Sequence, residues 1–226
     1  MPENQEAEIN SELIKRVPPP WDLKGEGIIL IYSFKMDWVE QEGNLPKGLR
    51  GKFRGGLGFV MLVDYTESPV GPYKELLIIP GKFGQPKKQA ITRIYVDSEA
   101  STQNGRANWG IPKKTAPFTW EKSEGTDQIS IFSEGKKVFS ATIAHGGIPF
   151  PVTTSLIPID LRQLWEKKSY LTQPKGTGWG KLAKIKGLDI DPVFFPDIRE
   201  IRPLLAVKVN PFHIHFPQPT ILDESI

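Results

Sequence analysis

Glycine and proline interrupt the whole chain and limit it to short elements. The 226 residues include 21 glycines and 21 prolines, a combination that is typical of folds with many short strands and turns. Between these residues lie short apolar runs, and the sequence shows neither a long helical pattern nor a βαβ rhythm. The pattern predicts an all-β or β-rich α+β fold that is barrel-like and has few short helices.

The apolar runs indicate where the strands lie. Gly27 to Phe34 is almost continuously apolar, which is typical of a strand buried on both faces. Strands are also predicted within 51–64, 73–80, 90–98, 118–121, 128–133, 136–144, 175–186 and 204–216. A polar loop is predicted at 37–47, and single helical turns are predicted at 98–106 and 161–168. Because side chains alternate along a strand, one face of the third strand carries Tyr73, Glu75, Leu77 and Ile79.

No linker divides the sequence, so we expect one domain over residues 1–226. The N-terminal residues 1–17 are expected to form an arm or a short helix. The apolar side chains Ile9, Leu13 and Ile14 suit a short amphipathic helix, and disorder is the alternative.

Composition excludes several functional classes. Lys+Arg 29 against Asp+Glu 26 gives 29 − 26 = +3, and the lysine doublets are scattered, so no nucleic-acid partner is expected. With no cysteine, the chain has no disulfide framework, no thiolate catalysis and no Cys-based metal site. The N-terminus lacks an apolar core of signal-peptide length and no run could cross a membrane, so we expect a cytoplasmic protein without a membrane partner.

Two motifs resemble a metal site and a phosphate-binding loop, but each lacks residues that such a site needs. His213 and His215 would share one face of a strand, yet a metal site needs a further ligand and His145 is the only other histidine. We therefore expect no metal and place both histidines on the solvent side of the strand. The segment 176–181 (GTGWGK) lacks the spacing and the Lys-Ser/Thr ending of a phosphate loop, so we interpret it as a turn or cavity-rim segment.

The segment Ile111-Pro112-Lys113-Lys114 suggests lysine chemistry. Proline fixes its own φ and favours an extended conformation in the preceding residue. In extended backbone Lys113 and Lys114 point to opposite faces, so one is inside and one outside. A lysine among apolar neighbours is partly desolvated, which lowers its pKa, and an adjacent cation adds to the shift. A neutral amine attacks ketones, so this segment suggests a Schiff base. The alternative is a pair of surface lysines after a turn proline.

The residues Gly105-Arg106, followed by Trp109-Gly110-Ile111-Pro112-Lys113-Lys114, resemble the signature of the acetoacetate decarboxylase superfamily. Gly71-Pro72-Tyr73-Lys74-Glu75-Leu76 resembles the Tyr-x-Glu strand of the same family. The resemblance covers about Pro18 to about Pro219 and is specific in these two blocks. It implies a double-sheet, cone-like barrel. Family members assemble into oligomers, so a homo-oligomer is an expectation of the resemblance alone.

The resemblance implies catalytic roles for three residues. Lys113 would form an imine with a ketone, and Lys114 would be its flanking cation. Glu75 would be a cavity carboxylate that orients substrate or moves a proton. The alternative for Glu75 is a core-edge carboxylate paired with Arg93 or Arg106. No cofactor is expected, since the iminium acts as the electron sink.

Substrate-binding positions are expected in and around the same two blocks. They are Tyr73, Arg106, Trp109 and Phe118. For Arg106, bracing the loop that carries the lysines is favoured over direct substrate contact. Trp109 and Phe118 are apolar residues expected around the lysine, and they would suit a bulkier or less charged substrate.

One departure from the family pattern limits the functional prediction. Acetoacetate decarboxylases carry an arginine in the first strand that handles the substrate carboxylate, and Lys24 to Ile29 contains none. The leading hypothesis is a Schiff-base lyase, of decarboxylase or aldolase/dehydratase type, acting on a keto acid or related carbonyl compound. The alternative is a non-catalytic small-molecule-binding protein of the same fold. A lipocalin-like carrier, suggested by β-rich composition alone, is the third hypothesis.

Overall fold

The computed structural model describes residues 14–224, which form strands and two short α-helices. The helices are α1 (Met36–Glu42) and α2 (Glu99–Trp109), and a 3-10 helix lies at Lys47–Leu49. The strands are β1 (Trp21–Tyr32), β2 (Gly58–Glu67), β3 (Tyr73–Ile79), β4 (Lys82–Phe83), β5 (Lys88–Gln89), β6 (Arg93–Val96), β7 (Lys114–Thr115), β8 (Phe118–Ser123), β9 (Thr126–Ser133), β10 (Lys136–Thr153), β11 (Leu161–Trp165), β12 (Lys168–Thr172), β13 (Lys175–Ile190), β14 (Leu205–Phe216) and β15 (Thr220–Asp223). The predicted β-rich fold with few short helices is confirmed.

Two sheets organise these strands. The large sheet has ten strands in the order β7-β6-β3-β2-β1-β14-β13-β10-β9-β8. Its neighbours are antiparallel except for the pair β6 and β7. The small sheet has the order β15-β12-β11-β5-β4. Within residues 14–224 the large sheet is open and ten-stranded, not a closed eight-stranded up-and-down barrel, so the lipocalin-like hypothesis is wrong.

The large sheet is buried on both faces, and β1 shows why its sequence is continuously apolar. Ile28, Leu30 and Tyr32 point into a first core, which the curled sheet encloses. The alternate residues Ile29 and Ile31 belong to a second core on the opposite face. Since successive side chains of a strand point to opposite faces, each core receives every second residue. The predicted burial of this strand on both faces is confirmed.

Three local predictions differ from the structure. The loop predicted at 37–47 contains α1, which buries Val39. The single helical turn predicted at 98–106 is the longer helix α2, of 11 residues. The helical turn predicted at 161–168 is instead the hairpin of β11 and β12, whose turn residues Glu166 and Lys167 have φ values of 49° and 61°. These residue types give little warning of a left-handed turn, because Asn and Gly are its usual occupants.

Only residues 14–17 of the predicted N-terminal arm or helix (1–17) belong to the described part of the chain. Residues 1–13 of the predicted arm lie outside the described residues. The segment 14–17 is not helical. It contacts α2, because the Val17 N–H donates to Asn104 Oδ1 (2.8 Å) and Asn108 Nδ2 donates to the Val17 carbonyl (2.8 Å).

A buried charge network lies where the edge of the large sheet curls back. Lys208 of β14 pairs with Glu26 of β1 (2.7 Å) and with Asp127 of β9 (2.6 Å). Lys122 of the edge strand β8 reaches Glu26 and Asp64 of β2. These strands are not all neighbours in the sheet, so the pairs hold its curled shape. A buried charge that loses its partner is strongly destabilising.

We therefore expect Lys208→Met to destabilise the protein by about 3–5 kcal/mol, because Asp127 and Glu26 keep their charges inside the protein. Lys24→Met is the matched control, since Lys24 pairs with Glu67 (2.8 Å) on an exposed part of β1. Its effect should be much smaller, as for most surface ion pairs. Urea unfolding followed by tryptophan fluorescence measures both. Equal effects of the two substitutions would contradict a stabilising role of the network.

Candidate active site

An apolar cavity of about 430 Å³ lies on the second-core face of the large sheet. Strands β1, β2, β3 and β14 form one wall, and residues from the end of β10 to the start of β11 form the other. The polar residues of its lining are Lys113, Glu75, Tyr65, Tyr73, Thr153, Thr154 and Thr177. The volume lies within the range of about 300–1,000 Å³ that is usual for small-molecule sites.

Strand β3 supplies one side of the cavity in the predicted alternation. Tyr73, Glu75, Leu77 and Ile79 all line the cavity, whereas Leu76 and Ile78 belong to the first core. Glu75 is 4% exposed. Because side chains alternate along β3, the Glu75 carboxylate lies on an apolar face, as the sequence predicted.

Helix α2 and the turn after it position Lys113. The Ser98 side chain caps the helix by accepting from the Ser101 N–H (3.2 Å). Gly110 ends it in a left-handed conformation at φ 62°. Pro112 then lies in a tight turn that is closed by the Lys113 N–H donating to the Ile111 carbonyl (2.8 Å). This turn directs the Lys113 side chain back toward the helix and the cavity.

The two signature residues at the end of α2 both contact Lys113. A Cβ atom on Gly105 would lie 2.8 Å from Lys113 Cδ and 2.9 Å from Cε, so this glycine makes room for the lysine stem. Arg106 Nε donates to the Lys113 carbonyl (2.9 Å), and its guanidinium lies 5.5 Å from the ring centroid of Trp165. Arg106 does not line the cavity, so it braces the loop instead of contacting a ligand in this structure.

Lys113 is buried and fully engaged at its amino group. Its Nζ lies 2.8 Å from Glu75 Oε2 and donates to Ser101 Oγ (2.9 Å) and to the Tyr73 hydroxyl (3.5 Å). The Tyr65 hydroxyl donates to the other oxygen of Glu75 (3.4 Å). Glu75 therefore pairs with Lys113, and not with Arg93 or Arg106 as in the alternative prediction.

The pKa of Lys113 is raised above its ordinary value, so the lowered pKa expected from the sequence is wrong. Burial is the largest influence and lowers the pKa, but the Glu75 carboxylate and Tyr73 together more than offset it. Burial also raises the pKa of Tyr73 and Tyr65. Both phenols thus carry their protons at neutral pH and can donate hydrogen bonds in the cavity.

Lys114 is not placed as the predicted flanking cation. It lies in β7, is exposed, and does not line the cavity. The opposite orientation of the two lysines, predicted from extended backbone, is confirmed. The nearest charge to Lys113 is consequently the anion Glu75, which explains the direction of the pKa shift.

Of the two aromatic residues predicted near the lysine, the structure places one in the cavity. Trp109 lines it, packs edge to face on Trp21 at 5.0 Å between ring centroids, and donates from Nε1 to the Pro217 carbonyl (2.8 Å). Phe118 packs against the first core. The prediction for Phe118 is wrong, because the chain crosses to the opposite face and pairs in β8 with β9.

Sequence reasoning missed Ser101 and Tyr65. Ser101 is completely buried and contacts Lys113 from the first turn of α2. A serine three residues after a helix cap gives no signal of its own. Tyr65 faces Tyr73 across β2 and β3, a pairing visible only in the register of the sheet.

The histidines of β14 do not form a metal centre in the described part of the chain. His213 Nε2 and His215 Nδ1 both lie 3.0 Å from Asp22 Oδ1 at the surface. His145 contacts Asp127 instead (3.4 Å). Among residues 14–224 no group of three or more His, Cys, Asp or Glu could hold a metal ion. The segment 176–181 lies in β13, and its Gly176 and Thr177 line the cavity.

The structure bears on the membrane prediction only through its helices. Neither α1 nor α2, the helices of the described chain, is long and apolar enough to span a bilayer.

The geometry predicts how Lys113 titrates when its anion is removed. In Glu75→Gln the ammonium keeps its burial but loses its carboxylate, so the pKa of Lys113 should fall. The pH dependence of Lys113 reductive methylation, followed by peptide mass spectrometry, measures the shift. Glu67→Gln, at an exposed carboxylate paired with Lys24, is the control and should leave it unchanged. An unchanged midpoint in Glu75→Gln would mean that Glu75 does not set this pKa.

Curated relatives match part of the chain. Protein NEOXANTHIN-DEFICIENT 1 of Arabidopsis thaliana is 30% identical over 105 residues, which are 45% of this chain and 36% of that protein. The protein of the same name from Oryza sativa subsp. japonica is 27% identical over 110 residues, 47% of this chain and 36% of that protein. The chain thus spans little more than a third of the length of these relatives.

Solved structures match most of the chain and show its fold. Acetoacetate decarboxylase from Legionella pneumophila superposes with a TM-score of 0.67 at 15% identity, covering 91% of this chain and 88% of that one. The enduracididine biosynthesis enzyme MppR superposes with a TM-score of 0.63 at 15% identity, covering 96% and 92%. The sequence family described as acetoacetate decarboxylase (ADC) matches residues 4–153, which include both signature blocks and the lysine. The chain therefore belongs to the acetoacetate decarboxylase family.

Proposed function

We propose that this protein forms a Schiff base between Lys113 and the carbonyl group of a small molecule, and that it acts as a carbon–carbon lyase of decarboxylase or aldolase/dehydratase type. The observation that carries the proposal is the buried pair of Lys113 and Glu75, 2.8 Å apart, in the wall of a cavity of ligand size. Paired, buried ionisable groups in a cleft are typical of functional sites.

The raised pKa of Lys113 requires a proton acceptor before the amine can attack, and Glu75 is placed for this. Transfer of the ammonium proton to Glu75 gives an amine and a carboxylic acid. The amine nitrogen adds to the carbonyl carbon, and the carbonyl oxygen takes up the proton to give a carbinolamine. The added nitrogen then returns one proton to Glu75, and Glu75 passes this proton to the hydroxyl group. The hydroxyl group leaves as water, which yields the protonated imine with the Glu75 carboxylate as its counterion.

The protonated imine is an electron sink for the adjacent carbon. A carbon–carbon bond or a C–H bond at that carbon can then break, and its electron pair moves into the imine. The phenols of Tyr73 and Tyr65 lie on the same side of the cavity as Glu75. They can donate hydrogen bonds to oxygen atoms of the bound molecule, which would fix the carbonyl group near Lys113.

A relative of the same fold supports both reaction types as hypotheses. MppR has been solved in complex with the condensation product of pyruvate and imidazole 4-carboxaldehyde, at a TM-score of 0.62 and 14% identity to this chain. Together with acetoacetate decarboxylase, this fold is therefore found with cleavage and with condensation chemistry.

The second candidate is a binding protein of the same fold without catalysis. The observation that favours it is the ion pair itself, because a Lys113 ammonium held by Glu75 is not nucleophilic until its proton leaves. Such a protein would keep its ligand when Lys113 is replaced by methionine, and it would not turn the ligand over.

Borohydride trapping tests the proposal. The protein is incubated with a panel of ketones and keto acids, reduced, and digested for mass spectrometry of the peptide that contains both lysines. We expect a stable adduct on Lys113 that is absent in Lys113→Met and retained in Lys114→Met, because Lys114 is exposed on the opposite face. Labelling of Lys114 alone, or of neither lysine, would contradict the proposal, and product analysis separates cleavage from condensation.

Gly105→Ala tests whether the lysine must occupy its present position. The added methyl group displaces the Lys113 stem, since its carbon would otherwise lie 2.8 Å from Cδ and 2.9 Å from Cε. Alanine is also favoured over glycine in a helix by about 1 kcal/mol. We expect the melting temperature to stay close to that of the wild type, while imine formation slows by about tenfold or more. Ala107→Gly, at an exposed position of α2, is the control for helix stability.

A further inference from the structure

We propose that the cavity takes a neutral, elongated and largely apolar carbonyl compound, and that it discriminates against keto acids with a carboxylate near the carbonyl group. The inference rests on the proposed function, which supplies the carbonyl group that reacts with Lys113, and it adds the chemical class of the rest of the substrate. Of the proposed reaction types it retains the aldolase/dehydratase type and excludes decarboxylation of a small keto acid, whose carboxylate would need a second cation beside the lysine.

The charges of the cavity are the first observation. Lys113 and Glu75 are the only charged residues in the lining formed by the described chain, and they neutralise each other at 2.8 Å. A carboxylate close to the reacting carbonyl would lie near Glu75 with no free cation to pair with. Burying an unpaired carboxylate is strongly unfavourable, so a neutral ligand is favoured.

The segment Lys24 to Ile29 of β1 supplies no second cation to the cavity. The cavity-facing residues of β1 in and beyond this segment are Gly27, Ile29 and Ile31. Lys24 points outward and pairs with Glu67 (2.8 Å). Glu26 belongs to the network with Lys208 on the opposite face (2.7 Å). Neither charged residue of this strand segment can therefore serve the cavity.

The register of the sheet shows that the cavity-facing rows beyond Glu75, on the side away from Tyr73, are apolar. Gly27, Val63 and Glu75 lie side by side across β1, β2 and β3. The next cavity-facing row is Ile29, Met61 and Leu77, and the one after it is Ile31, Phe59 and Ile79. At about 3.3 Å per residue, these two apolar rows extend the cavity by roughly 13 Å beyond Glu75.

The far end of these rows is also apolar where it meets solvent. Leu205 pairs with Ile31 in the register of β1 and β14, lines the cavity and is 40% exposed. An apolar chain could thus extend from Lys113 along the rows to this rim. The cavity of about 430 Å³ is also of a size usual for drug-sized ligands, which are larger than a ketone of a few carbons.

A matched pair of ligands tests the proposal. Dodecan-4-one and 4-oxododecanoate differ only in a terminal methyl group replaced by a carboxylate three bonds from the carbonyl carbon. Binding is followed by quenching of tryptophan fluorescence, since Trp21 and Trp109 line the cavity, and imine formation is followed by borohydride trapping. We expect the ketone to bind about tenfold or more tightly than the acid and to label Lys113 faster.

The two measurements separate this inference from the proposed function. Tight ketone binding without labelling, and equal binding to Lys113→Met, would overturn the Schiff-base function and leave the ligand class standing. Labelling of Lys113 with equal or tighter binding of the acid would leave the Schiff base standing and overturn the ligand class. Failure of both ligands to bind would overturn the ligand class as well.

A substitution of Met61 provides an independent test. Met61 lies in the first apolar row beyond Glu75, lines the cavity and is only partly buried, so a longer polar side chain can be accommodated. Met61→Arg should reverse the preference toward 4-oxododecanoate, because it supplies the missing cation. Met61→Gln, which adds polarity without charge, is the matched control and should not reverse it. A preference unchanged in Met61→Arg, with the variant still folded by circular dichroism, would contradict the charge argument.

Discussion

The ion pair between Lys113 and Glu75 is the interaction on which the site depends. Two charges buried in an apolar cavity must neutralise each other, since an unpaired ion there is prohibitively costly. The sheet supplies Glu75 through the strand period of β3, and α2 with its following turn supplies Lys113 from the other side. A buried ion pair is seldom more stable than a packed apolar pair, so stability alone does not account for this one. In the proposed function, reversible proton transfer between the two groups is the chemical role of this pair.

The signature residues around the lysine act through packing and backbone contacts. Gly105 leaves the space that the Lys113 stem occupies, and Arg106 holds the Lys113 carbonyl while stacking near Trp165. Ser101 approaches the amino group from the first turn of the same helix. One helix therefore fixes the stem, the backbone and the amino group of the lysine. Positioning of this kind is what allows an amine to react from a defined geometry.

The remainder of the cavity determines which molecules can reach that amine. Acetoacetate decarboxylase and MppR share the fold. In this chain the cavity-facing residues of β1 are uncharged, namely Trp21, Leu23, Gly27, Ile29 and Ile31. The charges that the sequence does place nearby, Glu26 and Lys24, face away because alternate residues of a strand point to opposite faces. The same alternation that buries β1 on both sides thus leaves the cavity with a single, already neutralised cation.

The sequence alone determined the features that depend on local periodicity. The apolar runs located most strands, the alternation of β3 put Tyr73 and Glu75 on one face, and the alternation of extended backbone pointed Lys113 and Lys114 to opposite faces. The sequence underestimates the length of helix α2, because the buried face of this helix lacks an apolar period. Asn104 and Asn108 lie on that face and bind the backbone of Val17. The pKa of Lys113 and the place of Phe118 were decided only by tertiary structure. Both depend on which residues, distant in the chain, come to lie within a few ångströms, and sequence spacing does not encode that distance.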